Sequence, residues 1–383
     1  MRRRERIGLV LVGLATVIGV VLLLTYMGAQ GLGPFSRLLS SIGARVSDTE
    51  SRYANKVRGH ARSDSLQSLD VYRKDPAKLR TPNEILTGAF DAGMPATLEG
   101  VVALENVLRT KFALMHFYSA WGDKPDQTFP LRTVQAVSEL GSIPVITWEP
   151  WLTDFENRLH PTLPLRDQRE RGGLNAVARG VYDFYVDAWA ADAAKYGGPI
   201  VIRFAHEMND PYRYPWGPQN NRAEDYIAAW QHVVYRFRAA GARNVLFAWA
   251  PHVAYKGFDV YYPGDEWVDW IATGVLNYGT VARWSEWWSF KQIFGEKYAV
   301  LAVHKKPIMI AELGSLAVGG DRAKWFGDAL NDLSTRYPLV KSILFFNVPR
   351  DATVTYQALD WTFTQDSAVT NVIRKAVNNH FRP

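Results

Sequence analysis

The 383-residue chain contains no cysteine, which excludes a disulfide scaffold, a thiolate zinc site and a cysteine nucleophile while leaving the compartment open. Other absences narrow the field. No glycine-rich phosphate loop follows the first apolar β-rich run, where Phe90-Asp91-Ala92-Gly93-Met94-Pro95 stands instead, which argues against a nucleotide-binding doubly wound sheet. No tract is biased in composition, and with 48% hydrophobic and 21% charged residues the chain is neither collagenous nor disordered throughout. The main part of the chain also lacks a basic balance. Residues 1–80 hold 14 Lys and Arg against 6 Asp and Glu, whereas the remainder holds 30 against 32, so the formal charge of +6 belongs to the leader. A nucleic-acid partner is therefore not expected.

What is present begins with a membrane signal. Arg2, Arg3, Arg4 and Arg6 precede an uncharged run over residues 7–27, about the length a helix needs to cross a bilayer core. The positive-inside rule puts the N-terminus in the cytoplasm and the rest outside the cell membrane, periplasmic or extracellular. The rival reading is a cleaved signal peptide with Ala29-Gln30-Gly31 as its small-x-small site, which would leave a secreted protein. Its hydrophobic region would be longer than such peptides carry. The expected organisation is a basic tip and transmembrane anchor over 1–28, a polar stalk over 29–81 with a helical stretch near 38–57, and one folded domain over 82–383.

In that domain short apolar β-rich runs recur at 86–90, 113–118, 143–148, 200–204, 244–249, 267–272, 307–311 and 342–346. Helical patterns fall between or after them at 98–108, 131–140, 177–196, 223–239, 288–303, 322–337 and 367–380. Eight such units fit an α/β fold, a single (β/α)8 TIM barrel, and a barrel of this kind carries its chemistry just beyond the C-terminal ends of its strands.

Two strand ends carry a glutamate. After the fourth run comes Arg203-Phe204-Ala205-His206-Glu207-Met208-Asn209-Asp210, followed by the aromatic loop Pro211-Tyr212-Arg213-Tyr214-Pro215-Trp216-Gly217. The seventh run ends in Ile310-Ala311-Glu312-Leu313-Gly314-Ser315. A carboxylate beside an apolar core costs free energy unless it is hydrogen-bonded or used. Either glutamate alone is consistent with satisfying a nearby arginine, but two on opposite arcs of one barrel suit acid/base work. Retaining glycoside cleavage needs such a pair about 5 to 5.5 Å apart. Zinc chemistry of the HExxH type is excluded because Asp210 stands where the second His is required. No metal or other cofactor is expected.

At these residues the chain resembles glycoside hydrolase family 26, retaining β-glycanases of the clan-A barrels whose members cleave β-mannan, mixed-linkage β-glucan or β-1,3-xylan. The resemblance spans roughly residues 87–379 and is carried by Arg203 to Asn209, by Phe247-Ala248-Trp249-Ala250-Pro251-His252, and by Tyr262-Pro263-Gly264-Asp265 leading into Val268-Asp269-Trp270-Ile271. It implies that Glu207 is the general acid/base, that Glu312 is the nucleophile, and that His206 helps to position the sugar at the cleavage point. Two departures stand out. Asp210 replaces the family's usual Gly, and the Tyr that hydrogen-bonds the nucleophile in the common pattern is here Leu276, with Tyr278 two residues on and facing the same way in an extended segment.

Mechanism adds its own demands. Glu207 must hold a proton, its pKa raised by an apolar mouth and by the charge of Glu312, and must give it up once the glycosyl-enzyme forms. Arg203 shares strand parity with Glu207 and is either a barrel-mouth group that orients a carboxylate or a core salt bridge with no catalytic part. Trp121, Trp148, Trp151, Trp216, Trp249, Tyr261, Tyr262, Trp284, Trp287 and Trp288 cluster near strand ends, where flat rings can lie against pyranose faces. Trp249 and Trp148 are the expected sugar platforms, with Trp216, Tyr212 and Tyr278 beside them. His116, after the second strand, is either a sugar contact or a hydrogen-bonded core histidine.

The expectation is a membrane-anchored retaining endo-β-glycanase acting on a β-mannan- or β-glucan-type polysaccharide, with the cell's own exopolysaccharide and its synthesis machinery as the context an anchor suggests. A catalytically silent glycan-binding accessory protein would use the same cleft without needing both glutamates. A transglycosylase would use both.

Overall fold

The structure, a computed structural model, describes residues 58–60, 62–352 and 357–381. The chain divides into two units, Met1–Gly59 and His60–Pro383, and the second carries the fold. Its eight strands are β1 (Leu86–Asp91), β2 (Leu114–Ala120), β3 (Ile143–Glu149), β4 (Ile200–Phe204), β5 (Val245–Trp249), β6 (Trp270–Asn277), β7 (Ile308–Ser315) and β8 (Val340–Asn347). Each pairs in parallel with the next, and β8 returns to β1, closing the barrel that the strand rhythm predicts. The helices, in chain order, are α1 (Asp70–Lys74), α2 (Glu99–Leu108), α3 (Leu131–Glu139), α4 (Gly173–Ala178), α5 (Asp183–Tyr196), α6 (Ala223–Ala239), α7 (Glu296–Ala302), α8 (Arg322–Arg336) and α9 (Ser367–His380). Between β5 and β6 there is a short 3-10 turn, Phe258–Tyr261, in place of a full helix.

Strand alternation sorts the side chains into two layers. Leu114, Val145, Val201, Leu246, Ala248, Ala272, Ala311 and Leu344 form a cluster inside the ring, while outward residues such as Ile146, Ile202, Phe204 and Phe247 pack under the helices. Small residues inside make room for neighbours. A Cβ at Gly88 would lie 2.3 Å from a Leu344 methyl and 2.5 Å from the Leu114 carbonyl oxygen, so only glycine fits where β1 crosses the interior.

Three expectations of local structure are revised. The helix predicted over 177–196 is two helices, because Gly180 adopts the left-handed conformation (φ 80°) and breaks the ladder between α4 and α5. The helix predicted from residue 288 opens with a π turn at Lys291–Gly295 before α7. The sixth strand starts later and runs further than predicted, so Gly274 and Leu276 lie in strand rather than loop.

The expected stalk boundary also moves. Residues 62–80 belong to the barrel unit: Leu66, Leu69, Tyr72 and Leu79 are buried in one cluster with the interior residues Leu86, Ala113, Ile143 and Val145. Arg62 ion-pairs with the buried Glu105 of α2 and donates to the Leu140 carbonyl at 2.5 Å. The Trp270 indole donates to the Leu79 carbonyl at 2.8 Å, and Arg80 reaches Asp269 at 2.6 Å. The apolar residues of this stretch are spaced too irregularly to reveal a core-facing period, and their partners lie far along the chain. The predicted transmembrane run over 7–27 and the helical stretch near 38–57 lie outside the described residues. Among the described residues no helix is long and apolar enough to cross a membrane.

Candidate active site

The site forms just past the end of β4 and within the last half of β7, where Glu312 stands three residues before Ser315. The chain leaves β4 through two residues in left-handed conformation, Ala205 (φ 44°) and Glu207 (φ 53°), a backbone state that costs non-glycine residues about 1–2 kcal/mol each. Hydrogen bonds to both neighbouring strands hold it: Ala205 N donates to Trp148 O of β3 at 3.0 Å, and Glu207 N to Ala250 O just past β5 at 2.7 Å. The strain aims the Glu207 side chain over the barrel mouth. Across the ring, register shifts on both sides of β7, at Thr273/Gly274 and between Ile310 and Leu313, bracket Glu312. Irregularities of this kind re-aim a side chain.

The two carboxylates meet above Gly274. A methyl placed there would stand 3.6 Å from Glu312 Oε2 and 4.0 Å from Glu207 Oε1, so the two oxygens cannot be farther apart than the sum of these distances. That bound accommodates the spacing of a retaining pair.

The environments of the two differ. Glu312 Oε1 accepts from Arg203 Nη1 at 3.0 Å and from Tyr118 Oη at 2.9 Å. Arg203 is fully buried in the barrel and also donates to Thr147 Oγ1 at 3.1 Å, so it holds the Glu312 carboxylate from below. Glu207 faces Arg213 at 3.2 Å through Oε2 and His252 Nε2 at 3.9 Å through Oε1. Burial raises the Glu207 pKa and outweighs His252 and Arg213, which lower it; the charge of Glu312 raises it further. The proton demanded of an acid/base is thus favoured mainly by desolvation.

Three polar groups of the mouth were not singled out as site residues in the sequence. Tyr118 of β2 makes the bond to Glu312 for which Tyr278 was one candidate; Tyr278 lines the same cavity but packs edge-on against Trp284 and Trp361. The signal was parity, since Tyr118 lies two residues beyond the inward His116 on one strand. Glu149, the last residue of β3, accepts from the Trp151 indole at 3.1 Å and lies 4.0 Å from His206 Nδ1. Burial pushes its pKa up to about 7. Arg213 of the aromatic loop is the third. A cavity of about 650 Å³ is lined by Phe90, Tyr118, Glu149, Trp151, Arg213, Tyr214, Tyr278 and Glu312 among others.

The remaining predicted residues fall into supporting places. His206 is buried beneath the aromatic loop, its Nε2 3.1 Å from Tyr214 Oη, and burial together with Arg203 and Arg213 holds its pKa well below the usual value. Trp216 is not a platform: it is buried, donates to the His206 carbonyl at 2.7 Å and stacks on Tyr214 at 4.6 Å. Tyr212 stands at the cavity rim, 80% exposed. His116 proves to be the core histidine, 2.7 Å from Thr147 Oγ1 inside the barrel. Trp148 and Trp249 are corrected outright. Both are fully buried on the helix-facing side of the ring, Trp148 against Trp121 and Trp189, Trp249 against Tyr262 and His304. Alternation explains it: where Thr147 and Glu149 face inward, Trp148 faces outward. The ring of that strand end that reaches the cavity is the half-buried Trp151, which packs edge-on against Trp216.

Glu207, Asp210 and His252 bring potential metal-ligating atoms within 4.8 Å of one another. Ala254 N donates to His252 Nδ1 at 3.3 Å, which leaves Nε2 as the ring nitrogen turned toward Glu207. Asp210 instead shapes the loop, its Oδ1 accepting from Tyr212 N at 2.8 Å.

Comparison with known proteins places this geometry. The family model described as Glycosyl hydrolase family 26 matches residues 175–326. Endoglucanase H of Acetivibrio thermocellus is 30% identical over 325 residues, covering 82% of this chain and 31% of the relative. Beta-1,3-xylanase TXYA of a Vibrio species is 25% identical over 151 residues, 37% of this chain and 29% of the relative. The chain therefore spans about a third of the length of these relatives. Among solved structures, a GH26 beta-mannanase from Bacteroides ovatus superposes with a TM-score of 0.56 at 18% identity, covering 81% of this chain and 92% of that one. The catalytic domain of a GH26 endo-beta-1,4-mannanase from Bacillus sp. JAMB-750 does so with 0.57 at 16% identity, covering 82% and 90%. At those identities the likeness is one of fold.

Proposed function

We propose that the chain is a member of glycosyl hydrolase family 26 and a retaining endo-β-glycanase that cleaves a β-linked polysaccharide by double displacement. The observation that carries this reading is the pairing of Glu207 and Glu312 over Gly274, each in a different electrostatic setting. Glu312, held by Arg203 and Tyr118, attacks the anomeric carbon. Glu207, buried and inclined to hold its proton, donates to the leaving oxygen. Formation of the glycosyl-enzyme removes the charge of Glu312. Arg213 and His252 then favour ionised Glu207, which takes a proton from the attacking water. The open cavity, with Trp151, Tyr214 and Tyr278 along its wall, suits internal cleavage of a polymer. Mannan- and glucan-type substrates are proposed by analogy with the endoglucanase and the mannanases that the chain resembles. The arginine cluster and apolar run at the N-terminus support a retained anchor that fixes the domain outside the cell membrane, beside exopolysaccharide machinery.

The test is release of new reducing ends from β-mannan and mixed-linkage β-glucan by the protein recovered from membrane and soluble fractions. Cleavage by detergent-released protein, reduced by at least a thousandfold in Glu207→Ala and Glu312→Ala, is expected (~4 kcal/mol or more of transition-state stabilisation). Binding to these glycans without cleavage would favour an accessory binding protein instead, and recovery in the soluble fraction would remove the anchor.

A further inference from the structure

Resting on the reading above, the inference concerns Arg213 and the class of polysaccharide. Arg213 lies six residues after Glu207 on the same loop, 3.2 Å from the Glu207 carboxylate, with its guanidinium 5.0 Å from the centre of the Tyr214 ring and its side chain 23% exposed to the cavity. The first chemical step requires Glu207 to carry a proton. In that state Arg213 loses the anion it pairs with, in a half-buried place where an uncompensated charge is costly. Among the described residues Glu207 is the only carboxylate within ion-pair distance of Arg213: of the others lining the cavity, Glu312 pairs with Arg203, Glu149 accepts from the Trp151 indole and Asp351 from the Trp361 indole, and the charges of Glu312 and Glu149 reach Arg213 only at longer range. The enzyme form competent to bind and cleave substrate therefore presents a guanidinium in want of an anion.

Its position says where that anion sits. Glu207 delivers its proton to the oxygen of the leaving sugar, so the neighbouring guanidinium faces the leaving-group side of the cleavage point. We infer that Arg213 is a binding site for a carboxylate on the sugar of the leaving-group side, and that the substrate is an acidic β-glycan containing uronic acid residues. A guanidinium takes a carboxylate in a two-pronged, charge-assisted pair. The substrate carboxylate draws Arg213 off Glu207 as it binds and leaves the proton on the acid. Departure of the leaving sugar returns Arg213 to Glu207 for the hydrolytic step, in which the ionised base is needed.

The experiment uses the full-length protein with mixed-linkage β-glucan and β-mannan, each native and after oxidation of a fraction of its C6 hydroxymethyl groups to carboxylates. Initial rates are measured for the wild type, Arg213→Gln and Arg213→Lys at low and high salt. Binding is measured calorimetrically on the Glu312→Ala background. The expected result is a preference of about tenfold for oxidised over native polymer, the worth of a charged hydrogen bond, weakened by salt. The preference disappears in Arg213→Gln and persists in part in Arg213→Lys. Equal handling of the native and oxidised forms by the wild type would overturn the inference, as would an equal loss on both forms in Arg213→Gln, which would leave Arg213 as a tuner of Glu207 alone. Absence of all cleavage counts against the proposed activity, and the binding arm still decides the anion preference.

Discussion

At the scale of single residues, the groups that carry the chemistry meet in one small volume. Gly274 is the floor between the two carboxylates, and its backbone conformation is one any residue can adopt. A methyl there makes only ordinary contacts with Glu312 and Glu207, so Gly274→Ala is expected to fold normally while filling the space the reacting sugar needs. Misplacement on this scale costs on the order of 100-fold in rate. Thermal melting alongside kcat/KM checks it: an unchanged melting temperature with a fall of that size is the expected outcome. Glu149 gives a second prediction. Its pKa of about 7 in the folded state exceeds the usual carboxylate value because the group is buried. The folded protein thus binds more protons than the unfolded one between about pH 4.5 and 7, and stability falls as pH rises through that window. Glu149→Gln keeps the neutral form throughout. Urea unfolding at pH 5 and 7.5 should therefore show the variant gaining on the wild type by on the order of 3 kcal/mol at the higher pH.

At the scale of elements, the segment 62–80 is the part of the domain that a boundary drawn at residue 81 would discard. It buries four apolar side chains against the barrel interior and supplies Arg62 to Glu105, whose carboxylate also accepts from Phe112 N at 2.8 Å. Removing one partner of a buried pair leaves an uncompensated charge and costs about 3–5 kcal/mol. Each buried apolar side chain contributes about 1.5–3 kcal/mol more. A protein beginning at Thr81 is accordingly expected to unfold at lower denaturant or to aggregate, whereas one beginning at His60 behaves as a cooperative domain; denaturant titration of the two distinguishes them. The same scale explains what was legible. A strand announces itself by a local apolar run and a terminal glutamate by its place in that run, which is why all eight strands and both carboxylates could be read from sequence. The bottom segment has no such local sign, because its apolar residues find their partners across the barrel.

At the scale of the whole molecule, closure of the barrel decides which residues share the mouth, and this is where the sequence reading ran out. Tyr118 and Glu312 are separated by 194 residues yet hydrogen-bonded, and only the ring brings β2 to face β7. Trp148 and Trp249 were read as platforms because they sit at strand ends; the ring turns them outward under the helices, and the alternation of Thr147, Trp148 and Glu149 was the clue available. Closure of the ring also sets attack by Glu312 from one arc against proton donation by Glu207 from another, and together these determine on which face of the sugar water arrives. The most direct measurement is proton NMR of the reducing end first formed from whichever β-glycan is cleaved, recorded before mutarotation. Retention by the Glu207–Glu312 pair predicts that the β-anomer appears first and decays to the equilibrium mixture; first appearance of the α-anomer would contradict the double displacement.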